Sequence, residues 1–295
     1  MRTQATLAWP ALFVLLWSTG FIGAKLGVPY AEPFTFLSLR FAFVLALMLP
    51  LTLILRASWP RSWRDVRHIA VAGLLIQAGY LGGCFAAVYH GMSAGVVALF
   101  VGVQPILTAF GAGLVFGDRI TRVQWLGLVL GFTGVVLVVW KNVSFNTAGA
   151  LAVIWALVSV TSMAAGALYQ KRYCPQFDLR SGSVIQFTAS LLLLLPLAYL
   201  TESMDVRWTG EFMFALGWLV LVMSIGAISL LFKLIEHGEA TRVASLFYLV
   251  PPTTAVMAYF VFGETLDALA LAGMAIGIVG VALVVRRAAV AIEGA

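Results

Sequence analysis

Two apolar stretches carry groups that hydrocarbon does not accept unpartnered. In FVGVQPILTAF, Phe100 to Phe110, Gln104 and Pro105 sit in the middle; in the second half, Pro251, Pro252, Thr253 and Thr254 interrupt another apolar run. A proline inside a helix removes one N–H, frees a carbonyl and costs about 3 kcal/mol. A buried amide is costly unless bonded. Other polar and aromatic residues recur at helical spacing. Trp155, Ser159, Ser162, Gly166 and Gln170 follow steps of 4, 3, 4 and 4, one helix face, with Met163 beside Ser162. Gln77, Tyr80 and Cys84 form a second stripe, and Val97, Phe100, Gln104 and Thr108 a third. Trp17 and Ser18 lie early in the chain; Ser224 stands opposite Gln77 with Lys233 and Glu236 beyond it, and Tyr248 lies one turn before the second proline pair. Such groups can hold a medium-sized organic solute with some apolar surface, better than a small inorganic ion. Any one of the aromatics could instead face lipid or pack between helices.

Bond-making chemistry needs clusters that the chain lacks. There is no HExxH, no Ser/His set and no pair of aspartates at one depth. His90 and His237 mark helix ends without metal spacing, and Cys84 and Cys174 form no CxxC pair and read as packing residues. No cofactor or metal is expected, and no enzyme. None of the twelve acidic residues lies deep inside an apolar run; Glu32, Asp118, Glu202, Asp205, Glu264 and Asp267 are in or beside connections. Proton-driven carriers commonly use a buried carboxylate. The expectation is a solute carrier without such a relay, running largely down the solute gradient.

These residues sit on elements suited to a bilayer. The chain is 62% hydrophobic and 10% charged, against about 25% charged for soluble domains. Its net charge of +6 resides in short connections, which argues against nucleic acid and for membrane topology. Ten spans are expected, near 7–28, 34–55, 67–89, 94–116, 122–140, 148–171, 182–200, 212–235, 241–262 and 266–286. The first resembles a signal peptide but is longer than a signal core, and reads as a spanning helix. One side holds Arg2, Arg56, Arg61, Arg64, Arg67, Arg119, Arg122, Lys171, Arg172, Arg180, Arg242, Arg286 and Arg287; the other holds little beyond Lys25, Lys141 and Arg207. The positive-inside bias puts both termini in the cytoplasm.

The chain also repeats itself. HGMSAGVVALFVGVQP from His90 matches HGEATRVASLFYLVPP from His237 at a shift of 147 residues. VFGD from Val115 matches VFGE from Val261, and Gly127, Gly131 and Gly134 match Gly273, Gly277 and Gly280, at a shift of 146. Arg40-Phe41 falls on Gln186-Phe187, and Pro50 on Pro196. Residues 1–146 and 147–295 are thus two five-helix units. Five is odd, so the second enters the membrane from the opposite side. Inverted repeats with paired interruptions point to a transport site between the halves. Broken backbone is tolerated at membrane depth only against protein or a wet cavity. The fold class is therefore an all-α integral membrane protein of ten helices, with a central cavity.

Three features admit blander readings. Arg40, the one clear charge well inside a span, is expected to snorkel to the outer interface or bond a neighbouring helix, since its counterpart Gln186 is neutral. The GxxxG pairs could serve a dimer, but close packing within each half, between helices four and five, is favoured, and with it a monomer. Asn142-Val143-Ser144 matches a glycosylation sequon that often arises by chance.

WSTGFIGAK in helix one, LRFAF in helix two and the doubled VFG(D/E) followed by GxxxGxxG resemble the drug/metabolite transporter superfamily, in its EamA-type ten-helix branch. Within that branch the chain is most similar to the YddG group of aromatic amino acid exporters. The resemblance implies a basket of ten helices, helices one, three, four, six, eight and nine around the cavity, and bending at Gly102, Pro105, Pro251 and Pro252, although Leu249 stands where a second Gly102 would fall. It implies export of amino acids and related metabolites across a bacterial inner membrane; the alternative is export of drugs or nucleobase-like metabolites.

Overall fold

A computed structural model describes residues 2–116, 122–142, 147–174, 177–227, 230 and 246–293. The helices are α1 (Arg2–Gly27), α2 (Pro33–Ile54), α3 (Trp63–Tyr89), α4 (Ala94–Phe116) and α5 (Arg122–Asn142). Then come α6 (Thr147–Tyr173), α7 (Leu179–Thr201), α8 (Gly210–Gly217, continued by Trp218–Ala227), α9 (Val250–Phe262) and α10 (Ala268–Glu293). Six contain apolar segments long enough to cross a bilayer; four shorter apolar segments, in α5, α8, α9 and α10, bring the described set to ten. Large apolar side chains such as Leu192, Leu200 and Phe260 point outward, a surface that water would not accommodate but acyl chains do. The end of α8 expected near 235 and the start of α9 expected near 241 lie outside the described residues, as do Lys233, Glu236 and His237. α3 begins at Trp63, before the expected 67, because Ser62 caps it: its hydroxyl accepts from the Arg64 N–H at 3.1 Å. α9 stops at Gly263, whose φ of 67° is the left-handed conformation that glycine adopts freely, and places Glu264 just beyond the helix.

The helices pack as two halves related by a two-fold axis. α1 packs on α8 and α9, and its counterpart α6 packs on α3 and α4. α2, α4 and α5 pack directly on their own counterparts, α7, α9 and α10. The α5–α10 contact shows the symmetry atom by atom. A Cβ on Gly134 would lie 2.5 Å from the Gly273 carbonyl and 2.7 Å from the Gly277 nitrogen. A Cβ on Gly280 would lie 2.7 Å from both the Gly127 carbonyl and the Gly131 nitrogen. The two contacts exchange equivalent residues, as an isologous interface does. Ascending positions on α5 meet descending ones on α10, so the two helices run antiparallel, as inverted repeats require. Phe41 and Phe187, equivalent in the two halves, touch at 5.3 Å between ring centroids and mark the axis between α2 and α7. The glycine motifs therefore join the two halves to each other; Gly131, against Ile106, also serves the expected α4–α5 contact.

Carboxylates stitch the connections at one end. Glu202 accepts from the Phe34 and Thr35 N–H groups (2.8 and 2.7 Å) at the start of α2, where the helix dipole favours an anion. Glu32 accepts from the Ser203 N–H at 2.6 Å and from its hydroxyl at 2.7 Å. Ala31 and Val206 form an isolated antiparallel bridge. Glu264 pairs with Lys25 and accepts from the Ala94 N–H at 3.4 Å. We call this the acidic end. At the opposite, basic end Asp178 caps α7, accepts from the Ser58 N–H at 3.1 Å and pairs with Arg180 at 2.8 Å. The hydrogen bond from the Arg180 side chain, helped by backbone N–H groups, holds the Asp178 carboxyl down at about 2.

Two outcomes are expected. Gly134→Ala and Gly280→Ala each force backbone apart and lower stability by about 1–3 kcal/mol, while Gly217→Ala, with nothing within 4 Å of the added carbon, leaves the melting temperature in detergent unchanged. The Asp178 contribution is fully present above pH ~4 and fades as the carboxylate protonates toward about 2; Asp178→Asn flattens that limb of the acid-unfolding curve.

Candidate functional site

Four of the helices are irregular, and the irregularities are related in pairs. α4 consists of Ala94–Gly102 and Gln104–Phe116 with a turn at Val103, whose N–H bonds the Phe100 carbonyl at 3.2 Å. α9 is preceded by a tight 3₁₀ turn, Phe247–Leu249, which ends at the equivalent Val250. Missing proline N–H groups explain both. The breaks meet: a Cβ on Gly102 would lie 2.9 Å from the Pro251 ring. α3 widens into a π-helical stretch over Leu74–Leu81, and α8 over Trp218–Ala227. Ser224 Oγ donates to the Leu219 carbonyl five residues back, at 3.1 Å. Ser190 Oγ donates to the Gly73 carbonyl where the wide turn of α3 begins, at 3.1 Å, and satisfies a backbone oxygen. Such bulges recur at functional sites.

Between the halves lies a cavity of about 120 Å³. Trp17, Gly20, Phe21 and Ala24 of α1 line it, with Ile76, Gln77, Tyr80, Leu81, Cys84 and Phe85 of α3. Arg40, Met163, Phe187, Met223 and Ser224 complete the wall. Trp17 and Met163, Ile76 and Met223, and Gln77 and Ser224 are equivalent pairs at the repeat shift, so the cavity straddles the two-fold axis. Both π-helical stretches contribute to its wall.

Of the residues expected from sequence, Trp17, Gln77, Tyr80, Met163 and Ser224 line this cavity. Others lie around it. Ser18 is fully buried, with its hydroxyl 2.7 Å from the Val14 carbonyl and 3.4 Å from that of Val250 at the α9 break. Ser159 bonds Cys84 Sγ at 3.1 Å. Ser162 packs where Gly79 brings α3 close to α6. Trp155 meets Phe34 edge to face at 5.7 Å. Phe100 is buried in helix packing, and the Gln104 amide donates to Thr108 Oγ1, 2.8 Å away and one turn on, which satisfies a polar group inside the span. Gly102, Pro105, Pro251 and Pro252 sit at or beside the breaks; the Tyr248 side chain lies outside the described residues.

Of the two readings expected for Arg40, the structure shows the bond to a neighbouring helix and not the snorkelling one. The side chain is 6% exposed, lines the cavity, and reaches Ser224 Oγ with Nη2 at 3.4 Å. Its neutral counterpart Gln186 is occupied elsewhere, donating to Gln170 Oε1 at 3.1 Å. The signal for Arg40 was the charge itself, since an ionisable residue at membrane depth is a functional candidate by default. The signal for the π-helical stretches was subtler: Gly79 and Gly226 follow Gln77 and Ser224 by two residues in both copies.

Toward the acidic end, Phe36, Phe85 and Phe212 pack in one buried layer, with ring centroids 5.2 and 5.1 Å from Phe36. Phe36 stands one turn from Arg40 on the same face of α2. Above this layer lie the carboxylate contacts of the connections. Toward the α4 and α9 breaks, Phe13, Trp17 and Phe247 cluster with centroids 5.1–5.4 Å apart. Among the described residues no acidic side chain lines the cavity.

Comparison with known proteins places this architecture. The EamA-like transporter family matches twice, over residues 5–140 and 150–286. An uncharacterized transporter of Bacillus subtilis, YvbV, is 26% identical over 96% of this chain and 91% of its own. A protein of Salmonella typhimurium described as a probable amino-acid metabolite efflux pump is 26% identical over 89% of this chain and 88% of its own. The uncharacterized inner membrane transporter YedA of Escherichia coli is 25% identical over 93% and 88%. One solved crystal structure superposes with a TM-score of 0.64 at 16% identity, covering 94% of each chain, which speaks to the fold alone. With matches in both halves and relatives aligned over nearly the whole length, the protein belongs to the EamA-like transporter family.

Proposed function

We propose that the protein exports amino acids, aromatic and other neutral ones, and related metabolites across a bacterial inner membrane by alternating access. The units are residues 1–146 and 147–295, and the basic end with both termini faces the cytoplasm, as the arginine bias favours. The observation that carries the proposal is the axial cavity, walled by aromatic and weakly polar side chains between four paired helix irregularities. Two equivalent halves allow inward-open and outward-open states of similar energy, because each state uses the contacts of the other with the halves exchanged. An aromatic body suits Trp17, Phe187 and Met163; Gln77, Tyr80 and Ser224 offer hydrogen bonds. Ser18, Phe100, Gln104, Trp155, Ser159 and Ser162 support or extend that wall as the helices move. Gly102, Pro105, Pro251 and Pro252 supply the bending points. No carboxylate relay is assigned, so flux follows the solute gradient. The name of the Salmonella typhimurium relative agrees with this solute class.

The phenylalanine layer and the Lys25–Glu264 pair close the path toward the acidic end in the state described. Lys25 also stands 5.0 Å from the Phe262 ring centroid. Opening outward must break this pair.

Counterflow of a panel of labelled amino acids into proteoliposomes tests the assignment. Phenylalanine and other neutral amino acids should move, and Tyr80→Ala should slow them by roughly tenfold, about 1.4 kcal/mol; movement of nucleobases but of no amino acid would overturn it. A second measurement tests the closure. In a Cys174→Ser background, Glu264→Gln should raise labelling of cavity-lining Cys84 by an impermeant maleimide added outside several-fold; an unchanged rate removes the pair from the gate.

A further inference from the structure

Arg40 keeps its positive charge in the interior of the molecule. Among the described residues it forms no ion pair; the two found there join Lys25 to Glu264 and Arg180 to Asp178. A guanidinium has five N–H donors. Here one long contact to Ser224 is formed, and the buried Nε has no partner. Side chains of this kind are almost never fully buried unpaired, because the lost hydration must be replaced. Besides Arg40, the described residues of the cavity wall offer the Ser224 hydroxyl, the Gln77 amide and the Tyr80 phenol, and no anion. The repeat does not require the charge, since Gln186 occupies the equivalent place with its amide bonded to Gln170. Among the described lining residues Arg40 is the one cation, and its counterpart Gln186 is not in the wall.

We propose that Arg40 binds the carboxylate of the solute, and that the site takes small net-anionic carboxylates with an apolar or aromatic body in preference to zwitterions and cations. The inference rests on the cavity being the transport site. The planar guanidinium fork matches a carboxylate edge to edge and supplies the charge-assisted hydrogen bonds that Nε and the remaining N–H groups lack. The body of the solute lies along Trp17, Met163 and Met223. Among the described residues a solute ammonium finds no carboxylate in this wall, only neutral acceptors, so removing it from an amino acid leaves the stronger half of the recognition intact. Inorganic chloride shares the charge but offers neither a planar pair of oxygens nor an apolar body.

The test compares 3-phenylpropanoate, phenylalanine, phenethylamine and chloride as ligands of the purified full chain, by calorimetric titration in detergent. The acid should bind at least tenfold more tightly than the amine, with phenylalanine between them and chloride unable to displace the acid at equal concentration. Arg40→Gln should abolish the difference between acid and amine, and Arg40→Lys should keep part of it. Equal binding of acid and amine by the unaltered chain overturns the proposal, as does an unchanged preference in Arg40→Gln or displacement by equimolar chloride. Should Arg40→Gln fail to fold, the acid–amine comparison on the unaltered chain decides alone. Acid binding with no counterflow of any solute would defeat the transport reading and leave the Arg40 site standing; counterflow that favours the amine would defeat the Arg40 site and leave transport standing.

Discussion

A peptide group in hydrocarbon has no water to bond, and this single constraint orders the molecule. Each spanning segment must satisfy its own backbone as a helix, and any segment that cannot must turn its defect toward protein or an internal cavity. Among the described residues four helices are broken or widened, whereas α2 and α7 carry Pro50 and Pro196 within unbroken helices. α4 and α9 lose N–H groups to Pro105, Pro251 and Pro252; α3 and α8 widen around Gln77 and Ser224. All four lie between the halves, where side chains such as Ser190 and Ser18 reach backbone carbonyls. The broken and widened segments thus lie beside the cavity at the axis.

The same defects suit movement. A regular helix packed along its length resists bending, because interiors are dense and every contact is shared. A proline turn or a wide turn has already given up part of its hydrogen-bond ladder, so bending there costs less than elsewhere. A close backbone-to-backbone crossing lies elsewhere. α5 and α10 cross with backbone against backbone at Gly134 and Gly280, a contact that leaves no room for sliding. The architecture thus separates a closely packed seam from broken and widened helices around the cavity.

Much of this was legible before any coordinates. The apolar runs, the basic connections and the shift of 146 or 147 residues fix ten helices in two inverted units, because hydrophobic length and charge placement are local properties of the chain. Pro105 and Pro251 mark broken helices for an equally local reason. Which polar residues face the cavity was only partly legible. Gln77, Tyr80 and Ser224 line it, but Gln104 turns to Thr108 on its own helix, and Ser159 turns to Cys84. A stripe of residues on one face does not say which neighbour that face meets.

Sequence by itself determined the elements and their correspondence between the two copies, since each depends on residues close in the chain or on an internal repeat. Tertiary structure alone decided the partners. It set the glycine ridges of α5 against those of α10 across the two halves, where short-range reasoning favoured α4. It drew Arg40 inward, to a wall shared with α1, α3 and α8, where an isolated helix would send the charge to the interface. The physical reason is the same in both cases: a glycine ridge and a buried charge take their meaning from what packs against them, and that is fixed only when helices distant in the chain come together.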